Sequence, residues 1–163
     1  MPGPIERVWS YLVDPELRGK WLASGDTDAR VGGRLVLHFE HRNLSPHTDE
    51  PPVQYADHHE GRGEDSVCTI TACEPPRLLT FTWPEGDKGE SEVTFTLAPA
   101  GDKVRFVITH RRLSGPEMMS DVGSGWHVHT DILADVLAAR APAPFWSAWA
   151  KAKAAYVKRL GQD

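Results

Sequence analysis

The amino-acid sequence predicts an α+β fold in which a curved antiparallel sheet lies against one long helix near the C-terminus. Three observations support this. Residues 118–146 hold a long helical pattern: Met119, Val122, Trp126, Leu133 and Leu137 recur at spacings of three, four or seven, on one stripe of a helix, and Pro142 and Pro144 close it. Ahead of that pattern the period falls to two, in short segments rich in Thr, Val, Ile and Phe separated by Gly, Pro and Asp turns. The 13 prolines and 14 glycines suit a chain with many turns rather than a helix bundle. A sheet with one apolar face and a helix with one apolar stripe bury those surfaces against each other.

In chain order, Pro4 opens a short amphipathic helix with apolar groups at Ile5, Val8, Trp9 and Leu12. Asp14-Pro15 interrupts it, and residues 15–22 read as a second short helix that delivers Trp21 to the same core. Residues 28–31 and 34–40 flank Gly32-Gly33 and read as a hairpin, because paired glycines supply the positive φ of tight primed turns. Strands are expected at 66–73, 78–83, 90–97 and 103–113, joined in an antiparallel meander by turns at Pro75-Pro76, Gly86-Asp87 and Gly101-Asp102. The polar stretch 43–63 follows neither period and is long for a loop in a compact domain, so it is either mobile or a lid. After Pro144, the apolar residues Phe145, Trp149, Ala152, Tyr156 and Leu160 predict an extra C-terminal helix over 145–161.

A chain of 163 residues fits a single domain, 1–163, that buries about two-thirds of its unfolded surface. A formal net charge of -5 disfavours nucleic acid and anionic membrane as partners, since both call for a basic face. No run of 18 apolar residues predicts a membrane span, and the N-terminus lacks the signature of a secretory signal, so a cytoplasmic location is expected. Cys68 and Cys73 are five residues apart, a spacing that sends them to opposite faces of a regular strand, and both are expected as free thiols.

Eight histidines raise the question of metal or acid–base chemistry. His127 and His129 are separated by two residues, about 200° around a helix, and cannot share one ion as the i and i+4 histidines of HExxH do. The His58-His59 pair beside Asp57 and Glu60 reads as a solvated loop cluster, and neither a metal nor a cofactor is expected. His127 and Asp131 form an i and i+4 pair. His110 continues the alternating face of Val104, Phe106 and Ile108, where it would either orient a ligand or be satisfied within the protein; His38 carries the same two readings. Trp21, Phe39, Phe81, Trp83, Phe95, Phe106 and Trp126 would line an aromatic pocket or fill a core, and Gly123 opposite Trp126 favours the pocket. Ser124, in Gly123-Ser124-Gly125, lacks the GxSxG pattern of a nucleophile elbow.

A set of markers in fixed order carries a family resemblance: Val8-Trp9, Leu12, Asp14-Pro15-Glu16, Trp21, Val31-Gly32-Gly33-Arg34, Glu74-Pro75-Pro76-Arg77-Leu78, Phe81-Thr82-Trp83 and Gly125-Trp126. With them the chain resembles the START-like (SRPBCC) superfamily, in the branch named for homology to the activator of the heat-shock protein 90 ATPase. The resemblance implies a helix-grip fold, with the sheet wrapped around the long C-terminal helix and a deep apolar pocket that in relatives holds lipids, polyketides, hormones or aromatic compounds. Family members begin with a strand before the first helix, and Met1-Pro2-Gly3-Pro4 leaves no room for it. A missing N-terminal strand would leave 103–111 as an open edge, which predicts dimerisation, as a homodimer, or aggregation.

The function expected from these observations is binding of a small hydrophobic or aromatic molecule between sheet and long helix. Trp21, Phe81, Trp126 and Met119 would provide contact and His110 and Thr130 polar orientation, with Phe39, Trp83, Phe95, Phe106 and Ile108 completing the candidate site. Two alternatives stand beside it: an enzyme of cyclase or hydrolase type using His110 or His127 as acid–base group, and a partner that stimulates a chaperone ATPase.

Overall fold

The computed structural model describes residues 1–53, 55, 56, 65–86 and 89–161. Helix α1 (Ile5–Val13) buries Val8 and Leu12, and Asp14 closes it. The Asp14 carboxylate then accepts from the backbone N–H groups of Glu16 and Leu17, so one residue ends α1 and caps α2 (Pro15–Arg18). Helix α2 stops four residues short of the expected end at Leu22. The cause lies in Arg18, which is fully buried and spends its guanidinium on the Ala23 and Val36 carbonyls, each 3.0 Å away, on the Gly25 carbonyl and on the Thr27 hydroxyl. Those contacts draw the chain out of the helix and pin it to the first strand. Trp21 is fully buried as expected, and its indole N–H donates to the Tyr11 carbonyl at 2.7 Å.

Five antiparallel strands follow in sequential order: β1 (Arg34–Leu37), β2 (Ser66–Glu74), β3 (Leu78–Pro84), β4 (Glu90–Ala100) and β5 (Lys103–Arg111). The expected hairpin arm at 28–31 is displaced. Ser24 bridges His38 and Thr27 bridges Leu35, so the arm lies earlier in the chain, and residues 28–33 form the turn, with Val31 at its exposed tip. Gly33 is required there for space, because a Cβ on it would lie 1.9 Å from the Asp28 carbonyl oxygen.

Side chains alternate as the period of two predicts: Leu79 and Phe81 on β3, Val93, Phe95 and Leu97 on β4, and Val104 on β5 all point to the core. Strand β2 breaks the rule once. Its register with β3 shifts between Ile70 and Ala72, and one extra residue reverses the alternation, so that Cys73 pairs with buried Leu79. Cys68 and Cys73 therefore share the core face instead of opposing each other. Both thiols are free, and burial pushes the Cys68 thiol up to about 12.

Ahead of α1 the chain contributes a single bridge to β5 rather than a strand: Pro2 pairs with Lys103, and Met1 and Val104 exchange backbone hydrogen bonds. Beyond that bridge, Phe106, Ile108 and His110 have no backbone partner on the outer side of β5 among the described residues.

Helix α3 (Pro116–Leu137) is the long helix, with Pro116 at a first-turn position that favours proline. It ends seven residues before Pro144, and after that link α4 (Phe145–Arg159) turns back along it. The N-terminus of α4 has no cap of its own. Asp49, from the stretch that follows β1, supplies one by accepting from Trp146 N–H and Ser147 N–H. Ser45 donates to the Pro142 carbonyl at 2.8 Å, so the first part of the expected 43–63 loop is tied to the link. Gln54 and residues 57–63 of that loop, with the His58-His59 pair, lie outside the described residues.

Candidate functional site

Between the sheet, α3 and α4 lies a cavity of about 480 Å³. Met118, Val122, Gly125, Trp126 and His129 reach it from α3 at the i, i+3 and i+4 spacings of one helical face. At 1.5 Å per residue that face runs along the cavity for roughly 16 Å. Phe39 and Trp83 form the sheet side, and Phe145, Trp146 and Trp149 form the wall from α4.

Two glycines of α3 divide the work of making this space. A Cβ on Gly123 would meet the Tyr156 ring at 3.0 Å, so Gly123 lets α4 approach. A Cβ on Gly125 would have no neighbour within 4 Å, and Gly125 lines the cavity. The open position of the Gly123-Ser124-Gly125 run is therefore Gly125, not Gly123 as the sequence suggested. Ser124 is buried, with its hydroxyl donating to the Ser120 carbonyl one turn back.

The aromatic walls support one another through edge-to-face and stacked contacts. Trp83 and Trp126 meet with ring centroids 5.6 Å apart at 73°, and Tyr55 stacks on Trp146 at 5.5 Å while meeting Trp149 at 80°. Polar groups interrupt this lining at His41, Tyr55, Ser66, Asp121 and His129. Asp121 accepts from the Tyr55 hydroxyl at 3.1 Å and pairs with Lys153, whose ammonium also sits over the Trp149 ring. Burial and that carboxylate raise the Tyr55 hydroxyl to about 12. His129, 4% exposed, has Nδ1 2.6 Å from the Trp21 carbonyl oxygen, and burial holds its imidazole down to about 4, so it is neutral at pH 7.

His110 is spent within the protein. The Trp126 indole N–H donates to its Nδ1 at 3.1 Å, which leaves the proton on Nε2 to meet the Ser91 hydroxyl at 2.8 Å. Desolvation lowers this imidazole also, to about 4. His110 thus fixes the rotamer of Trp126 from behind the cavity wall.

Of the eleven residues named from the sequence, Phe39, Trp83 and Trp126 line the cavity. Trp21, Phe81 and Phe95 are fully buried core, and Phe106, Ile108 and His110 pack at its edge on β5. Met119 is exposed and its neighbour Met118 faces the cavity, while the Thr130 hydroxyl donates to the Trp126 and His127 carbonyls. His127 is exposed and pairs with Asp131 at 3.5 Å, and His38 pairs with Asp65 at 2.7 Å. Sequence reasoning missed His129 and the α4 wall. The stripe that steps seven residues from Trp126 to Leu133 passes through 129 or 130, and it is His129 that faces the cavity while the Thr130 hydroxyl bonds back to its own helix. Among the described residues no group of three or more His, Cys, Asp or Glu side chains could hold a metal ion, and no helix is long and apolar enough to cross a membrane.

Residues 2–138 match the model of a protein family described as activator of Hsp90 ATPase homolog 1-like protein. A protein from Bordetella parapertussis, known from a solution structure, is 44% identical with a TM-score of 0.81, over 98% of this chain and 82% of that one. CalU16 from Micromonospora echinospora shares the fold at 24% identity and a TM-score of 0.71, over 99% of this chain and 83% of its own. The Aha1 dimer from Colwellia psychrerythraea shares it at 15% identity and a TM-score of 0.60, over 84% and 90%. Among curated proteins none matches. The family match ends at residue 138, so α4 and its part of the cavity wall lie beyond it.

Proposed function

This chain belongs to the activator of Hsp90 ATPase homolog 1-like family, and on that premise we propose that it binds a small apolar or aromatic molecule in the cavity between the sheet, α3 and α4. One observation carries this reading: a space of about 480 Å³, walled by aromatic rings, is kept open by a mid-helix glycine whose missing side chain faces it. Ligand sites fall at roughly 300–1,000 Å³ and combine such apolar walls with a few polar groups. A helix-interior glycine costs about 1 kcal/mol relative to alanine, so its presence where nothing crowds it favours a use for the space. The α4 wall and its Asp49 cap would then shape the pocket beyond what the family core supplies.

The test is titration with N-phenyl-1-naphthylamine, a neutral fluorophore that brightens in apolar surroundings. Saturable binding of one equivalent, competed by other small aromatics, is the expected result. A linear response without saturation would remove the proposal.

A second reading, an enzyme working in the same cavity, would use the His129 imidazole on its wall, although a group held to about 4 is a weak base at neutral pH. Turnover of a bound aromatic substrate, lost in His129→Asn with binding retained, would replace the first reading by the second.

A further inference from the structure

The cavity wall has hydrogen-bonding atoms with no assigned use, among them the Trp146 indole N–H, which can only donate, and the Nε2 of His129. Resting on the ligand-binding reading, we propose that His129 Nε2 is the acceptor that selects, among aromatic molecules small enough to enter, those carrying a hydroxyl or amine donor.

The argument begins with the other ring nitrogen. Nδ1 lies 2.6 Å from the Trp21 carbonyl oxygen, an atom that only accepts, so the proton sits on Nδ1 and the lone pair on Nε2. Nε2 has no hydrogen-bond partner among the described residues. The ring is 4% exposed and forms part of the cavity wall, with Phe145 at 4.9 Å and Phe39 at 6.2 Å between centroids. Neither phenyl ring can donate to it. The His41 ring, 5.5 Å away between centroids, makes no hydrogen bond with it, and the nearby Trp126 indole N–H is committed to His110. Burial also keeps the imidazole neutral, so the lone pair is present at neutral pH. An acceptor desolvated in this way favours a ligand that restores its hydrogen bond and disfavours one that covers it with carbon. A phenol-type hydroxyl on a flat ring meets both demands: the ring fits the aromatic walls, and its O–H points to Nε2.

The matched pair 1-naphthol and 1-methoxynaphthalene tests this in the full chain, because methylation removes the donor and leaves the rings unchanged. We expect 1-naphthol to bind at least about tenfold tighter, the ratio one satisfied hydrogen bond sustains. His129→Asn keeps a donor for the Trp21 carbonyl and has no atom at the Nε2 position, so the ratio should fall close to one. A preference that survives in His129→Asn would be steric and would overturn the inference, as would equal affinities in the wild type. Wild-type ¹⁵N spectra give a readout independent of any variant: the unprotonated Nε2 signal should move upfield with 1-naphthol and stay in place with 1-methoxynaphthalene. An Nε2 signal unmoved by bound 1-naphthol overturns the selection and leaves the cavity reading standing. Absence of binding by both compounds overturns the cavity reading together with this one.

Discussion

Replacing Gly125 separates a pocket from a packed core, because the two predict opposite combinations of stability and binding. In Gly125→Ala the new methyl has no neighbour within 4 Å, and the φ at this position is not in the left-handed region. The helix therefore gains about 1 kcal/mol from propensity alone, which raises Tm by about 2–4 °C in a chain of this size. Gly125→Leu keeps most of that gain and adds apolar burial against Trp83 and Trp126, while occupying part of the 480 Å³. Both variants should melt above the wild type, and the leucine variant should bind N-phenyl-1-naphthylamine at least about tenfold more weakly, as a ligand denied a fraction of its contacts does. Gly123→Leu is the control. Its Cβ would stand 3.0 Å from Tyr156, so it should melt below the wild type as α4 is pushed away. Differential scanning calorimetry and probe titration on the three variants decide the matter. A Gly125→Leu protein that is destabilised, or that is stable and binds like the wild type, would refute the reasoning.

Three further predictions follow from the same contacts. Asp49→Ala removes the cap of α4 and should cost about 1 kcal/mol in chemical denaturation, with amide exchange accelerating first in residues 145–149. Arg18→Lys supplies one ammonium in place of a guanidinium fork that reaches carbonyls of Ala23, Gly25 and Val36, and should lower stability by about 2–3 kcal/mol, read from the denaturant midpoint. Acidification should destabilise the fold through His129. Its imidazole is held to about 4 when folded and titrates near 6.5 when unfolded, so the unfolded chain binds more protons between those values. Stability is then full above pH 6.5 and falls as pH drops toward 4, by about 3 kcal/mol for this group, with His110 shifting in the same direction. A midpoint that does not change from pH 7 to pH 4.5, or a His129→Asn variant with the same slope, would count against it.

The meander and α3 were legible in the sequence because each buries one face against one neighbour, and a single-faced element writes its period into the chain. Where an element answers to a distant group, the period misleads. Asp28 to Val31 alternates like a strand, yet the Asp28 carbonyl is needed at the turn against Gly33, and Val31 ends at an exposed tip. Residues 15–22 carry a helical pattern, but the buried Arg18 gathers carbonyls from residues 23–36 and ends α2 at its own position. The bulge in β2 puts Cys73 on the face of Cys68, a reversal that residue counting along a strand does not contain. The cavity suffers most from this limit. Asp49 with α4 and Tyr55 with Asp121 are contacts between segments far apart in the chain, and no local pattern announces them. The spacing of His127 and His129 excludes a shared metal ion and says nothing more of either, whereas the place of His129 between Trp126 and Leu133 on the helical stripe marks it as inward.

The most direct test of the central claim is a filtered NOE experiment on the isotopically labelled protein with N-phenyl-1-naphthylamine bound. The account predicts intermolecular contacts from the probe to Gly125 Hα, to the Trp83 and Trp126 rings and to Trp149 on α4, the groups that enclose the cavity. Contacts confined to the outer face of the sheet, at Val67 or Val107, would contradict it.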